Sequence, residues 1–263
     1  MRDRGLTLIR SRENPRFKAL RALATSTRER RKAGLALLDG IHLISAYRTR
    51  GGVPEQLILS ESAAAKPETA QLAAGASGLG VLVLADSLFN DLAQVVTPTG
   101  IIALIRTPRP GPLPATIECC VMLENIQDAG NLGSILRSTA AAGIATVLLS
   151  QGCAFAWSPK VLRAGMGAHF SLDIFDNADL ATSVHRLSGR LICASGHASK
   201  SLYQADLRGP LAWVFGNEGS GVSAELSAAA AEQVRIPMPG KTESLNVAAA
   251  AAICLFEQAR QRG

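Results

Sequence analysis

The chain has 263 residues, 48% hydrophobic but only 4% aromatic, so one large core or two modest ones must be built from Ala, Leu, Val and Ile. Its cysteines, Cys119, Cys120, Cys153, Cys193 and Cys254, are odd in number and form no C-x-x-C pair, which argues against a disulfide framework or a zinc site and for a reducing compartment. Net charge is +6, yet residues 1–50 hold 13 Lys/Arg against 4 Asp/Glu, a local +9, and the remainder stands at −3.

The N-terminal "MRDRGLTLIRSRENPRFKAL" is charged and lacks the apolar core of a secretory signal. The longest apolar run, "VAAAAAICLF", falls well short of the roughly 20 residues of a membrane span. A soluble, cytoplasmic protein without a membrane partner is expected. The basic block suits a phosphate backbone, although "TSTRERRKAG" reads equally well as a solvated helix face. Next, the apolar runs "LALL", "QLILS", "VLVLA" and "IIALI" alternate with helical patterns around Ile41–Tyr47, Ala63–Ala74 and Ser87–Val95. The turn between "LALL" and the first of these helices is Asp39-Gly40. This is a small α/β domain, residues 1–106. Prolines at 108, 110, 112 and 114 in "TPRPGPLPATIE" allow neither helix nor central strand, so residues 107–115 read as a stiff linker.

Residues 116–263 carry six further strand candidates: "IECCVMLE", "ATVLLS", "HFSLDIF", "RLICAS", "LAWVFG" and "QVRIPM". Helical patterns lie between them, the last from about Ser244 to Arg260. Near-continuous apolar strands alternating with helices predict a buried parallel sheet, where ligands sit beyond the carboxyl ends of the strands. Three polar loops fall there: Asn125–Asn131, "GNEGSG" from Gly216, and "PMPGKTESLN" ending at Asn246.

Common nucleotide motifs fail on these loops. "GNEGSG" has G-x-x-G-x-G spacing, and "PMPGKT" would need its first phosphate-loop glycine at Arg235. No His/Cys cluster has metal-ligand spacing, and there is no G-x-S-x-G elbow. Singly, each polar residue has an ordinary explanation. Asn131 and Ser244 suit helix N-caps, Glu218 suits a loop, and Arg137 lies off the apolar stripe of Leu132, Ile135, Leu136 and Ala140.

Together, "NIQDAGNLGSILRSTAAAG", "GNEGSG" and "IPMPGKTESLNVAAAAAICLFEQAR" resemble the three signature motifs of the SpoU (TrmH-like) RNA 2′-O-ribose methyltransferases. The match covers roughly residues 116–262. "SRENPRFKAL" and "LLDGIHLI" resemble, more loosely, that family's small ribosomal protein L30e-like RNA-binding domain, with Asp39 where Glu is more usual. The resemblance implies a trefoil-knotted C-terminal domain that binds S-adenosylmethionine, and a homodimer formed through that domain. It assigns Asn131, Arg137, Glu218, Ser244 and Asn246 to the catalytic region, and Gly216, Ile236 and Leu245 to cofactor contacts. It implies no metal.

Methyl transfer to a ribose hydroxyl requires alignment and loss of a proton. No histidine falls in the three motifs, and arginine holds its proton too firmly to serve as a good base. Arg137 is therefore expected to clamp the ribose and its phosphate, with the proton leaving through that phosphate, water or Glu218. Ribosomal RNA is the expected substrate, with transfer RNA as the alternative. A non-catalytic RNA-binding protein of the same fold and a knotted guanine methyltransferase are the competing functions.

Overall fold

The protein is described here by a computed structural model covering residues 7–67, 69, 80–93, 95 and 97–263. It divides into two compact units, Met1–Pro108 with Trp157–Pro159, and Arg109–Ala156 with Lys160–Gly263.

The first unit is built on a five-stranded mixed sheet: β1 (Thr7–Ile9), β2 (Leu35–Asp39), β3 (Gln56–Ser60), β4 (Gly80–Leu84) and β5 (Ile101–Arg106). The strand order is β1-β4-β3-β5-β2, with β5 antiparallel to both neighbours and the other pairs parallel. Four of these strands follow the predicted apolar runs; β1, only three residues long, is too short to show a period. The helices are α1 (Pro15–Thr25), α2 (Thr27–Ala33), α3 (Ile41–Thr49), α4 (Glu61–Ala64) and α5 (Asp86–Ala93). Much of the predicted Ala63–Ala74 helix lies outside the described residues. Gly40, at φ 99°, makes the expected turn into α3. Phe17 and Phe89 pack with Ile58, Leu84 and Ile102 in the core.

Helices α1 and α2 share one residue, Ser26, which ends the first and caps the second by accepting from the Glu29 N–H. Arg30, 4% exposed, turns back to donate to the carbonyls of Leu23 and Ala24 and to Thr27 Oγ1. One arginine of the basic block therefore satisfies the open carbonyls at the end of α1.

The second unit has seven strands, all parallel, in the order β10-β12-β9-β11-β6-β7-β8. They are β6 (Cys120–Leu123), β7 (Thr146–Leu149), β8 (Asp173–Phe175), β9 (Arg190–Ala194), β10 (Lys200–Ser201), β11 (Leu211–Phe215) and β12 (Glu232–Arg235). Every residue of β6 and β11 is buried, as near-continuous apolar runs require when helices cover both faces. The helices are α6 (Ala129–Ala141), α7 (Pro159–Gly165), α8 (Leu180–Val184), α9 (Ala224–Ala229) and α10 (Val247–Arg262), with α10 packed on α6.

Two expectations change here. The first half of "HFSLDIF" is a 3-10 turn, Ala168–Ser171, so only Asp173–Phe175 is strand. The last helix starts at Val247 rather than near Ser244, because Asn246 is its N-cap and accepts from the N–H groups of Ala248 and Ala249. Among the described residues, no helix is long and apolar enough to cross a membrane.

Candidate functional site

β6 and β11 are paired neighbours, with Leu123 opposite Phe215. Their following loops therefore leave the sheet side by side, and a third loop descends from β12 into α10. The polar residues that are far apart in sequence meet at this edge.

Three side chains form a directed network. Asn246 Nδ2 donates to Asn131 Oδ1 (2.8 Å) and to Glu218 Oε1 (2.7 Å), and Asn131 Nδ2 donates to the same Oε1 (2.8 Å). The Val247 N–H, at 3.4 Å, completes the set on that oxygen. Because the Asn246 oxygen is occupied in capping α10, its amide nitrogen must face the other two residues. Glu218 Oε1 is thus saturated by donors, and Oε2 has no partner among the described residues, leaving one carboxylate oxygen for a ligand.

The loops are braced from below. Asn125 sits at φ 55°, a left-handed conformation that asparagine tolerates better than most residues. Its N–H donates to Ser150 Oγ (2.9 Å), and its carbonyl accepts from Asn217 Nδ2 (3.1 Å). The Asn217 side-chain oxygen accepts from the N–H groups of Gly219 (2.8 Å) and Ser220 (3.3 Å), so this residue ties the second loop to the first. Cys153 donates to the Leu123 carbonyl at 3.1 Å, and burial pushes its thiol pKa up, which suits a packing role rather than a nucleophile.

Two cavities open at this edge. One, of about 170 Å³, has Gly216, Ile236, Ser244 and Leu245 in its walls, together with Ser195 and Gly196. The other, of about 310 Å³, is lined by Gln127, Asp128 and Asn131 among others. Asn217, Glu218 and Val247 line both. At Gly196 a Cβ would meet nothing within 4 Å, so bare backbone faces open space in the first cavity. Gly216 is glycine for a different reason: a Cβ there would lie 2.1 Å from the Gly221 carbonyl, because the loop folds back on itself. Among the described residues, no group of three or more His, Cys, Asp or Glu side chains could hold a metal ion.

The sequence-predicted residues therefore divide. Asn131, Glu218 and Asn246 are bonded to one another, and Gly216, Ile236, Ser244 and Leu245 share a cavity wall with Glu218. Neither Asn131 nor Ser244 is an N-cap. Asp128 caps α6 by accepting from the Asn131 N–H at 2.8 Å, and Asn246 caps α10. Arg137 stands apart: it is exposed, lines neither cavity, and makes no hydrogen bond or ion pair among the described residues. Sequence reasoning missed Ser195 and Gly196, although they follow a predicted strand at the carboxyl edge where ligands belong.

Known proteins resemble this chain over nearly its whole length. The profile of the SpoU rRNA Methylase family matches residues 118–256, and that of an MRM3-like substrate binding domain matches residues 14–103. The Bacillus subtilis 23S rRNA guanosine 2′-O-methyltransferase RlmP is 30% identical, over 94% of this chain and 97% of that protein. A crystal structure of an RNA 2′-O ribose methyltransferase is 32% identical with a TM-score of 0.81, covering 97% of this chain and 99% of that one. An AdoMet-bound rRNA methyltransferase from Sinorhizobium meliloti superposes with a TM-score of 0.85 at 25% identity, covering 97% of this chain and 98% of that one.

Proposed function

Because the chain belongs to the SpoU rRNA methylase family, we propose that it transfers a methyl group from S-adenosylmethionine to a ribose 2′-hydroxyl of ribosomal RNA. The observation that carries this reading is the Asn131–Glu218–Asn246 network standing between two cavities. A two-substrate transfer needs one pocket for the donor, another for the acceptor, and fixed polar groups at their junction.

The cavity beside Gly216 suits the donor. Ile236, Met238 and Leu245 offer apolar surface for an adenine, and the bare backbone at Gly196 leaves room for a close approach. S-adenosylmethionine supplies an activated methyl group when bound there. The chain's own residues orient the acceptor. Asn131 and Asn246 hold Glu218 in place, and its free Oε2 can accept a hydrogen bond from a ribose hydroxyl. Arg137 clamps the ribose and its phosphate; its lack of a partner among the described residues leaves the guanidinium available. Ser244 joins them at the cavity wall.

The same reading gives the second unit a trefoil-knotted topology, with the segment before α10 threaded through an earlier loop, and gives the first unit an L30e-like RNA-binding role. It also makes the protein a cytoplasmic homodimer through the second unit. Phe256, 50% exposed on α10, supports that dimer as an apolar side chain that a second copy would cover. Incubation with S-adenosylmethionine carrying a tritiated methyl group and purified ribosomal RNA tests the function. Label should appear in alkali-resistant dinucleotides, the mark of a blocked 2′-hydroxyl. Label confined to the bases would overturn ribose specificity, and absence of label in ribosomal and transfer RNA would overturn the transferase.

A further inference from the structure

The first fifty residues hold 13 basic side chains, and the fold uses them unequally. Arg10 is paired with Glu61, Arg12 with Asp91 and Lys18 with Glu13, while Arg30 is buried against the end of α1. Arg16, Arg21, Arg28 and Lys32 are exposed and make no ion pair or hydrogen bond through their side chains among the described residues.

Within this group α2 is distinctive. Its roll is fixed by Arg30, which points inward to the carbonyls of Leu23 and Ala24. At 3.6 residues per turn, Arg28 and Lys32 then lie about 160° and 200° around the helix from Arg30, on the side facing away from α1. They are four residues apart, so the two cations are neighbours one turn apart on a single outward ridge. Arg28 also stands in the first turn, where the helix dipole disfavours a cation, and no acid lies three or four residues from it; Glu29, three residues before Lys32, makes no ion pair with that lysine among the described residues. Helix stability alone does not account for this pattern. A polyanion with regularly spaced charges would relieve both repulsions, and one helical turn is comparable with the step between consecutive phosphates of a strand.

We propose that the outward ridge of α2, Arg28 and Lys32, is a docking surface for the RNA backbone, contacting consecutive phosphates irrespective of sequence. This rests on the reading of the protein as an RNA methyltransferase and locates part of its substrate contact.

The test uses the full-length protein, a fluorescein-labelled RNA hairpin of mixed sequence, and a potassium chloride series. Three proteins are compared: wild type, Arg28→Gln/Lys32→Gln, and Arg10→Gln/Arg12→Gln. The last loses the same formal charge from side chains already in ion pairs. The ridge variant should bind more weakly and lose about 1.4–1.8 from the slope of log K against log salt, at roughly 0.7–0.9 per phosphate contact. The control should keep a near-wild-type slope. Thermal melting and S-adenosylmethionine binding, both unchanged, establish that the ridge variant is folded. An unchanged slope in the ridge variant overturns the proposal, as does an equal loss in both variants, which would reflect net charge alone. Methyl incorporation into ribosomal RNA by wild type is read separately, so a failed ridge and a failed transferase give different results.

Discussion

Arg137 is the residue whose surroundings say least and whose chemistry is asked to do most. It lies six residues beyond Asn131 on α6, about 9 Å along the axis. Arg137→Ala should leave folding and S-adenosylmethionine binding intact and abolish most methyl transfer. Arg137→Lys should not restore it, since a lysine lacks the planar two-point fork. Single-turnover methylation with saturating RNA checks this, and near-normal rates in the alanine variant would return Arg137 to the status of a surface side chain. His169 supports a different measurement. Burial pulls its pKa down to about 4, while its Nε2 lies 2.9 Å from the Ala156 carbonyl. The folded state therefore binds this proton less readily than the unfolded chain. Its contribution is complete above about pH 6.5 and is lost as pH falls towards about 4, by up to roughly 1.4 kcal/mol per pH unit. Denaturant unfolding across that window should show the slope, and His169→Gln should flatten it. At this scale the sequence disclosed residue types better than roles. Asn131 reads as a cap from its position, yet Asp128 takes that place, because which of two neighbouring polar residues caps a helix depends on where the backbone turns.

Among the elements, α6 is the one on which the site depends, since it carries both Asn131 and Arg137. Its approach to α7 is set by Gly133. A Cβ there would lie 2.6 Å from the Val161 carbonyl and 2.5 Å from Ala164 Cβ. Gly133→Ala would gain intrinsic helix propensity in an isolated peptide. In the protein it must push α7 away, and it should destabilise by about 1–3 kcal/mol. Urea unfolding decides between these effects, and a stabilised variant would mean that the two helices separate easily. The β-elements were the more legible part of the fold. "LAWVFG" and "QLILS" are apolar runs bounded by turn residues, and each became a strand within a residue of its expected ends. The 3-10 turn at Ala168–Ser171 was not legible. "HFSLDIF" alternates Phe170, Leu172 and Ile174 with polar residues as a strand would, but its first half forms the 3-10 turn in which buried His169 bonds to the Ala156 carbonyl.

At the level of the molecule, every residue of the bonded network and of both cavities lies in the second unit. A fragment of residues 109–263 should therefore bind S-adenosylmethionine with near-native affinity and sediment as a dimer, and Phe256→Glu in that fragment should yield monomers. Calorimetry and sedimentation equilibrium read the two outcomes. A folded fragment that fails to bind would place part of the donor site in the first unit. The alternation of strands and helices foretold a parallel sheet here, and the three long motifs lie on loops that the fold brings to one edge of it. Strand order was beyond reach. Nothing local in "CVML" or "LAWVF" says that they pair, and that pairing is what brings Asn131 within 2.8 Å of Glu218 across 87 positions of sequence.

The wall shared by the two cavities has an energetic consequence. Asn217, Glu218 and Val247 face both chambers, so filling one fixes side chains that the other must also use. Binding of donor and of RNA should then be heterotropically linked, and the factor by which one raises affinity for the other must be the same in either direction. A coupling of 1–3 kcal/mol corresponds to roughly 5–150-fold. Titrating S-adenosylhomocysteine with and without RNA, and RNA with and without S-adenosylhomocysteine, closes this thermodynamic square; strictly independent affinities would show that the wall is already rigid before either ligand arrives.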